Sequence, residues 1–391
     1  MKQGWALNTL SDVCEKTSNI KWSNNTDIEF DYIDLSAVSR ETFNITNTVS
    51  VNSKNAPSRA KKIIHTDDVI FATTRPTLKR VARISSNFNN QICSTGFSVL
   101  RGRPSVILPD YIFYYLRTVS FMQRMELLQR GASYPAVTDK DVKDTPIPVP
   151  PLPEQKRIVA KLDQAFEAID HAKANVERNL QNAKDLFQSQ LNQIFSKEGG
   201  GWVEITLGDL GKVSMCKRIM KHQTSPAGDI PFYKIGTFGE TPNAFIDSDT
   251  YQEFKQKYSF PKKGAILISA SGTIGRRVIY DGEPAYFQDS NIVWIDNNEE
   301  LVLNEYLYQF YGVCDWNPSK GATISRLYND DLRRIRISFP NIDEQMELVG
   351  IMKKLNEKTQ SLIHQYQHQL NNLFEMKNSI LQKAFNGELS D

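Results

Sequence analysis

The chain has 391 residues, 40% hydrophobic and 24% charged, and 47 Lys and Arg against 45 Asp and Glu leave a formal net charge of +2. That length allows two or three domains, the composition is that of an ordinary folded protein, and the near-neutral balance excludes nucleic-acid binding through bulk charge alone. No apolar run approaches the roughly 20 residues of a membrane span. Met1–Leu10 lacks the apolar core of a signal peptide, and the scattered Cys14, Cys93, Cys216 and Cys314 form no CxxC pair, so no membrane, no metal and a cytoplasmic location are expected.

Residues 1–150 read as a mixed domain. Strand-like runs at Phe30–Leu35, Asp68–Ala72 and Phe97–Leu100 are bounded by Asn, Ser, Gly or Pro, and Pro109–Leu116 opens a short helix. Val142–Pro151 carries too many prolines for a helix and is expected as an extended edge segment. Residues 151–198 form a long helix. Pro153 suits its first turn, no Pro or Gly interrupts it before Gly199, and apolar residues recur at Ile158, Leu162, Phe166, Ile169, Val176, Leu180, Phe187, Leu191 and Ile194. Gly199-Gly200-Gly201 breaks that helix and serves as a hinge.

The second half, residues 199–340 followed by a helix over 341–391, echoes the first. Trp5…Thr9-Leu10-Ser11-Asp12 recurs as Trp202…Thr206-Leu207-Gly208-Asp209. The closest echo is Gly131–Ser196, which lies without a gap on Gly321–Asn386, 190 positions further on. Asp141 falls on Asp331, Pro150 on Pro340, and Glu154-Gln155 on Glu344-Gln345. In the second helix Leu348, Met352, Leu355, Thr359, Leu362, Tyr366, Gln369, Leu373, Met376, Ile380 and Ala384 alternate steps of four and three, a heptad seam with two polar interruptions. Each helix should span about 40 residues, or about 60 Å, and the simplest partner for each is the other. The expected fold is α+β: two mixed α/β domains joined by two long antiparallel helices in a coiled coil, with a pseudo-two-fold internal repeat.

Catalytic signatures are sparse. The chain carries no GxxxxGK[ST] loop, no GxGxxG after a strand, and no Asn-Pro-Pro or Asp-Pro-Pro followed by an aromatic. His364 and His368 have i, i+4 spacing but lack further ligand types nearby, and read as an exposed helix face. Basic clustering says more. Between Lys54 and Arg103 the only acids are Asp67 and Asp68, and Arg276-Arg277 close the matching glycine-bearing loop of the second half. Arginine and lysine neutralise phosphates, and arginine also reads guanine edges. Arg75, Lys79, Arg80 and Arg83 in the first half, and Thr273, Arg276 and Arg277 in the second, are therefore candidates for DNA contact. Ser133, Tyr134 and Lys320, beside the repeated Gly-Ala loop, are weaker ones.

PLPEQKRIVAKLD at 151–163, its partner NIDEQMELVGIMKKL at 341–355 and the tail LQKAFNGEL at 381–389, in this duplicated order, resemble the specificity subunit of a Type I restriction–modification enzyme. The second copy departs from the Pro-Pro-Leu lead-in, having Pro340-Asn341-Ile342. The resemblance implies that each globular domain is a target recognition domain reading one half of a bipartite sequence in double-stranded DNA. It implies that the helices set the unread spacer and dock two modification subunits, with Ile158, Leu162, Ile169, Leu348, Leu355 and Leu362 as candidate interface residues. It further implies a non-catalytic chain without its own cofactor, S-adenosylmethionine, ATP and Mg residing on the modification and restriction subunits. The competing reading is a coiled-coil scaffold whose globular ends bind other proteins.

Overall fold

The computed structural model describes residues 2–22, 27–317 and 326–389, which divide into two units: residues up to Glu177 with His368 onward, and Arg178–Gln367. Both long helices contribute to both units.

In the first half the strands are β1 (Ala6–Thr9), β2 (Cys14–Glu15), β3 (Glu29–Ile33), β4 (Val49–Asn52), β5 (Ala60–Ile63), β6 (Val69–Ala72), β7 (Val81–Arg83), β8 (Ile92–Ser94), β9 (Phe97–Gly102) and β10 (Pro146–Val149). The helices are α1 (Leu10–Val13), α2 (Pro109–Tyr115), α3 (Val119–Leu128), α4 (Asp139–Lys143) and α5 (Leu152–Phe195). Two four-stranded sheets, ordered β2-β9-β6-β7 and β4-β3-β8-β5, form the body of the domain. Strand β6, Val-Ile-Phe-Ala, is buried on both faces and lies between β9 and β7, as a continuous apolar run requires. The proline-rich segment is an edge strand as expected, pairing only with β1 through Ala6↔Val149 to Thr9↔Pro146. Its first residues are helical instead. Thr138 and Asp141 cap each other's backbone N–H groups at 2.8 and 3.0 Å, and that reciprocal cap starts α4 before the prolines begin.

The second half repeats the plan with β11 (Val203–Thr206), β12 (Val213–Ser214), β13 (Ile230–Tyr233), β14 (Phe245–Ile246), β15 (Ile266–Ser269), β16 (Arg277–Ile279), β17 (Tyr286–Phe287), β18 (Ile292–Ile295) and β19 (Arg336–Phe339). Its helices are α6 (Leu207–Leu210), α7 (Ser248–Lys257), α8 (Asn304–Phe310), α9 (Asn329–Arg334) and α10 (Ile342–Asn386). The order β12-β18-β15-β16 copies β2-β9-β6-β7, and β11 pairs β19 as β1 pairs β10. The recurring Thr-Leu-x-Asp is a capping box in both halves: the Asp12 carboxylate accepts the Thr9 N–H at 2.9 Å, and Asp209 accepts that of Thr206 at 3.0 Å. Those threonine hydrogen bonds hold both carboxyls below the usual carboxylate range.

Helices α5 and α10 run 44 and 45 residues. Helix α5 ends at Phe195, and Gly199, Gly200 and Gly201 all take positive φ, which side-chain-bearing residues resist. In the first unit Lys161 Nζ donates to the Leu389 carbonyl at 2.8 Å while Asp170 pairs with Lys377, so the two helices run antiparallel there. Ile158, Leu162 and Phe166 of α5 join Leu381, Ala384 and Phe385 of α10 in one core with Trp5, Tyr111 and Ile147. Beside it Arg117 is enclosed by Phe43, Phe113, Tyr114 and Phe166, its guanidinium 4.0–5.4 Å from their centroids. Burial pulls its pKa down to about 10, and the ring faces hold the charge. In the second unit Leu191 of α5 and Leu348 and Met352 of α10 are buried with Tyr306, Phe310 and Ile337.

The repeated Glu-Gln ties each helix to its domain. Gln155 is fully buried; its Nε2 donates to the carbonyls of Val106 and Pro150 at 2.9 and 2.8 Å, and its Oε1 accepts the Leu108 N–H at 2.9 Å. Gln345 makes the same three bonds, to Leu301, Pro340 and Leu303 at 2.8, 2.8 and 2.9 Å. Replacing Gln345 with Ala strands two carbonyls and one N–H, at about 1–3 kcal/mol each for those that water does not reach. Chemical denaturation of Gln345→Ala should show a loss of about 3 kcal/mol or more, against about 0.5 kcal/mol or less for the neighbouring exposed Met346→Ala.

Candidate nucleic-acid interface

The connection from β6 to β7 carries the first candidates. Arg75 and Lys79 flank a single turn, Pro76–Leu78, and both adopt left-handed backbone, φ 50° and 54°. Non-glycine residues held there are strained, and such strain gathers where a loop must present a particular shape. The loop is held from outside: Thr74 bridges Ala136, the Val137 N–H donates to the Thr73 carbonyl at 2.9 Å, and the Arg75 N–H donates to Pro135 O at 2.6 Å. This brings Arg75 against Ser133 and Tyr134. Its Nη2 lies 3.4 Å from the Ser133 carbonyl and its guanidinium 4.8 Å from the centre of the Tyr134 ring, which is 70% exposed. An exposed guanidinium stacked on an exposed phenol offers charge for a phosphate and a flat face for a base.

The other first-half candidates point elsewhere. Lys79 reaches over Phe374 of α10 at 5.9 Å. Arg80 turns inward, donating to the carbonyls of Leu35 and, at 2.9 Å, Val38. Arg83 is paired with Asp67 at 2.7 Å and Asp110 at 2.8 Å. Burial raises the Asp110 carboxyl above its ordinary range, against the pull of Arg83.

The second half builds the corresponding loop between β15 and β16 and holds it the same way. Ser271 bridges Arg326, and the Leu327 N–H donates to the Ala270 carbonyl at 2.9 Å. Gly275, at φ 82°, is required there because a Cβ would stand 2.2 Å from the Trp316 indole nitrogen. Thr273 is exposed in this loop. Arg276 donates to the Phe238 carbonyl at 2.8 Å and pairs with Glu240 at 3.4 Å. Arg277 lies over Tyr308, 4.4 Å from its centroid, and so close to Gly312 that a Cβ there would meet its Nη1 at 2.1 Å. Lys320 lies outside the described residues.

Sequence reasoning reached only Arg218 and Lys221 of a group gathered beyond this loop, as basic residues near it. Arg218, Lys221, Lys234, Asp289, Ser290, Asn291 and Arg326 line an open cavity of about 330 Å³. Arg218 Nε donates to Asp289 at 2.8 Å, Arg326 Nη2 to the Ser290 carbonyl at 3.0 Å, and Ser271 Oγ to Asn291 Oδ1 at 2.9 Å. One signal was readable: Arg326 stands 190 positions after Ala136, so the gapless repeat puts an arginine where the first half has a methyl group.

Of the helix candidates, Ile158, Leu162, Ile169 and Leu348 are buried, Leu355 is half-buried and Leu362 is 42% exposed. Ile158 and Leu162 belong to the first unit's own core. Burial pushes the thiols of Cys14, Cys93, Cys216 and Cys314 up to about 12. Among the described residues, no three His, Cys, Asp or Glu side chains are grouped to hold a metal ion, and no helix is long and apolar enough to cross a membrane.

Fold and site together define a duplicated protein: one framework built twice, displaying two different sets of polar loops. Residues 2–178 and 199–372 both match the Type I restriction modification DNA specificity domain, and the chain belongs to that family. A Haemophilus influenzae protein designated a candidate type I restriction enzyme specificity subunit, S.HindORF215P, is 47% identical over 257 residues, which is 64% of this chain and 65% of that one. The StySPI specificity subunit of Salmonella potsdam is 24% identical over all of this chain and 90% of its own. A chain from a structural study of complex assembly and conformational transition in the type I R-M system aligns with a TM-score of 0.87 at 28% identity, covering 99% of both chains. The HsdS subunit from Thermoanaerobacter tengcongensis aligns at 0.62 and 27%, covering 99% of this chain and 98% of that one.

The inward arginine and the outward one should separate by stability. Arg80→Ala strands the Leu35 and Val38 carbonyls and is expected to cost about 2 kcal/mol. Arg75→Ala should stay within about 0.5 kcal/mol of the parent. Urea unfolding of the two variants reads the difference.

Proposed function

We propose that this chain is the specificity subunit of a Type I restriction–modification assembly, each of its recognition domains reading one half of a split target in double-stranded DNA. The observation that carries the reading is the duplicated framework with unlike loops. The Gln155 and Gln345 clamps match bond for bond, while the loop of one half carries Arg75 against Ser133 and Tyr134 and that of the other carries Ser271 and Thr273 beside Arg326. Recognition that must vary, on a scaffold that must still fit its partners, predicts this division. A protein-binding scaffold of the same architecture has no support among the relatives compared.

In this reading the chain is non-catalytic. Two modification subunits supply S-adenosylmethionine and methylate adenine N6, and restriction subunits supply ATP- and Mg-dependent translocation and cleavage, all in the cytoplasm. The helices fix the spacer between the half-sites and carry the docking surface. Both leave large apolar side chains uncovered: Leu186 on α5, and Met346, Ile351, Leu362, Phe374 and Met376 on α10, each 42–59% exposed. Such side chains favour association.

Co-expression with a Type I modification subunit, in a host lacking N6-adenine methylation, tests the reading. Sequencing for modified adenines should return a split motif, two short specified blocks around a fixed gap. Absence of modification by an assembled complex would overturn it. For docking, Ile351→Asp with Leu362→Asp should reduce co-purification of the modification subunit at least tenfold. Their exposure predicts that the unfolding midpoint stays near that of the parent.

A further inference from the structure

The cavity beside the second recognition loop has a composition that a phosphate site would not have. Three of its cations, Lys221, Lys234 and Arg326, line a space of about 330 Å³ that also receives the carboxylate of Asp289. A phosphate site presents donors; a carboxylate in its wall repels the ligand. Here the carboxylate is fixed in place. Arg218 Nε donates to Asp289 Oδ2 at 2.8 Å, and the Asp289 side chain is only 15% exposed. Next to it Ser290 takes a left-handed φ of 60°, and its carbonyl receives Arg326 Nη2 at 3.0 Å. Asn291 is oriented from the neighbouring loop, its Oδ1 accepting Ser271 Oγ at 2.9 Å. Acceptor, guanidinium donor and amide are thus set side by side by bonds to the framework. Mixed donors and acceptors are what base edges require: carboxylates accept from the cytosine N4 amino group, arginine donates to guanine O6 and N7, and asparagine serves adenine.

We propose that this cavity is the base-reading site of the second recognition domain, with Asp289, Asn291 and Arg326 meeting base edges and Lys221 and Lys234 meeting the flanking phosphates. The proposal rests on the reading of the chain as a DNA specificity subunit. It moves the second domain's readout from Arg276 and Arg277, which are engaged within the domain, to residues around the β17–β18 connection.

The test uses the chain assembled with its modification subunit and duplexes carrying the mapped target, each specified position substituted in turn. Asp289→Asn and the charge-conserving Arg326→Lys should each reduce discrimination at one or two base pairs of a single half-site by roughly 5- to 100-fold. Discrimination at the other half should be unchanged. Lys234→Ala should weaken every duplex alike and lower the salt slope by about one. Unaltered discrimination in folded, assembled Asp289→Asn and Arg326→Lys overturns the proposal, and so does uniform weakening across all duplexes, which would make the cavity a backbone contact. If the parent assembly discriminates at neither half-site, the specificity reading itself fails, a result distinct from both.

Discussion

A buried primary amide joins each long helix to its domain. Gln155 and Gln345 sit one turn into the long helices and use both ends of the side chain, accepting one backbone N–H and donating to two carbonyls. The groups they satisfy belong to the approach to α2 or α8 and to the residue that closes the β10 or β19 strand. Three chain segments therefore meet at one side chain. The tyrosines of α2 and α8 repeat the logic: Tyr111 donates to the Pro148 carbonyl at 2.9 Å and Tyr306 to that of Ser338 at 3.0 Å. A buried network in which every member is satisfied fixes one arrangement, because any slip leaves a polar group without a partner.

That fixity permits divergence elsewhere. Other bonds common to both halves run from backbone to backbone: Leu10 N–H to Thr145 and Leu207 N–H to Ile335, Val137 N–H to Thr73 and Leu327 N–H to Ala270. A backbone bond places no demand on the side chain of the residue that makes it. Ala136 in one half can be Arg326 in the other, and the two-residue link Thr95-Gly96 can become the four-residue link Gln288–Asn291, while β18 keeps the place in its sheet that β9 holds in the other. Reading surfaces change while the β2-β9-β6-β7 sheet and its copy β12-β18-β15-β16 keep one order; the other sheet is four-stranded in the first half and three-stranded in the second.

The same division explains what the sequence disclosed. The helices, their extents and the gapless repeat were legible because periodicity and spacing are properties of the chain itself. The proline-rich edge strand was legible because proline removes a donor; the α4 turn before it was missed although its cause, the reciprocal cap between Thr138 and Asp141, stands in the sequence as Thr-x-x-Asp. Function-bearing side chains were harder. Arg75 and Arg80 are five positions apart and equally basic, yet one stacks on Tyr134 at the surface and the other feeds carbonyls inside the domain. Net charge along the chain counts arginines but not their direction, and direction is set by which carbonyls and carboxylates the fold brings near.

Charge of one sign gives affinity for any duplex, and a subunit whose task is to discriminate gains little from it. The overall balance of +2 fits that constraint, as does the engagement of Arg80, Arg83, Arg276 and Arg277 with carbonyls, carboxylates and an aromatic ring of their own domains. What discriminates is an acceptor held where phosphates are otherwise attracted, since it penalises every approach that does not bring a base donor to it. Asp289, pinned by Arg218 in a wall of cations, is such a group. In the base-reading role proposed for it, its value would lie less in a bond to the right base than in the repulsion it imposes when that base is absent.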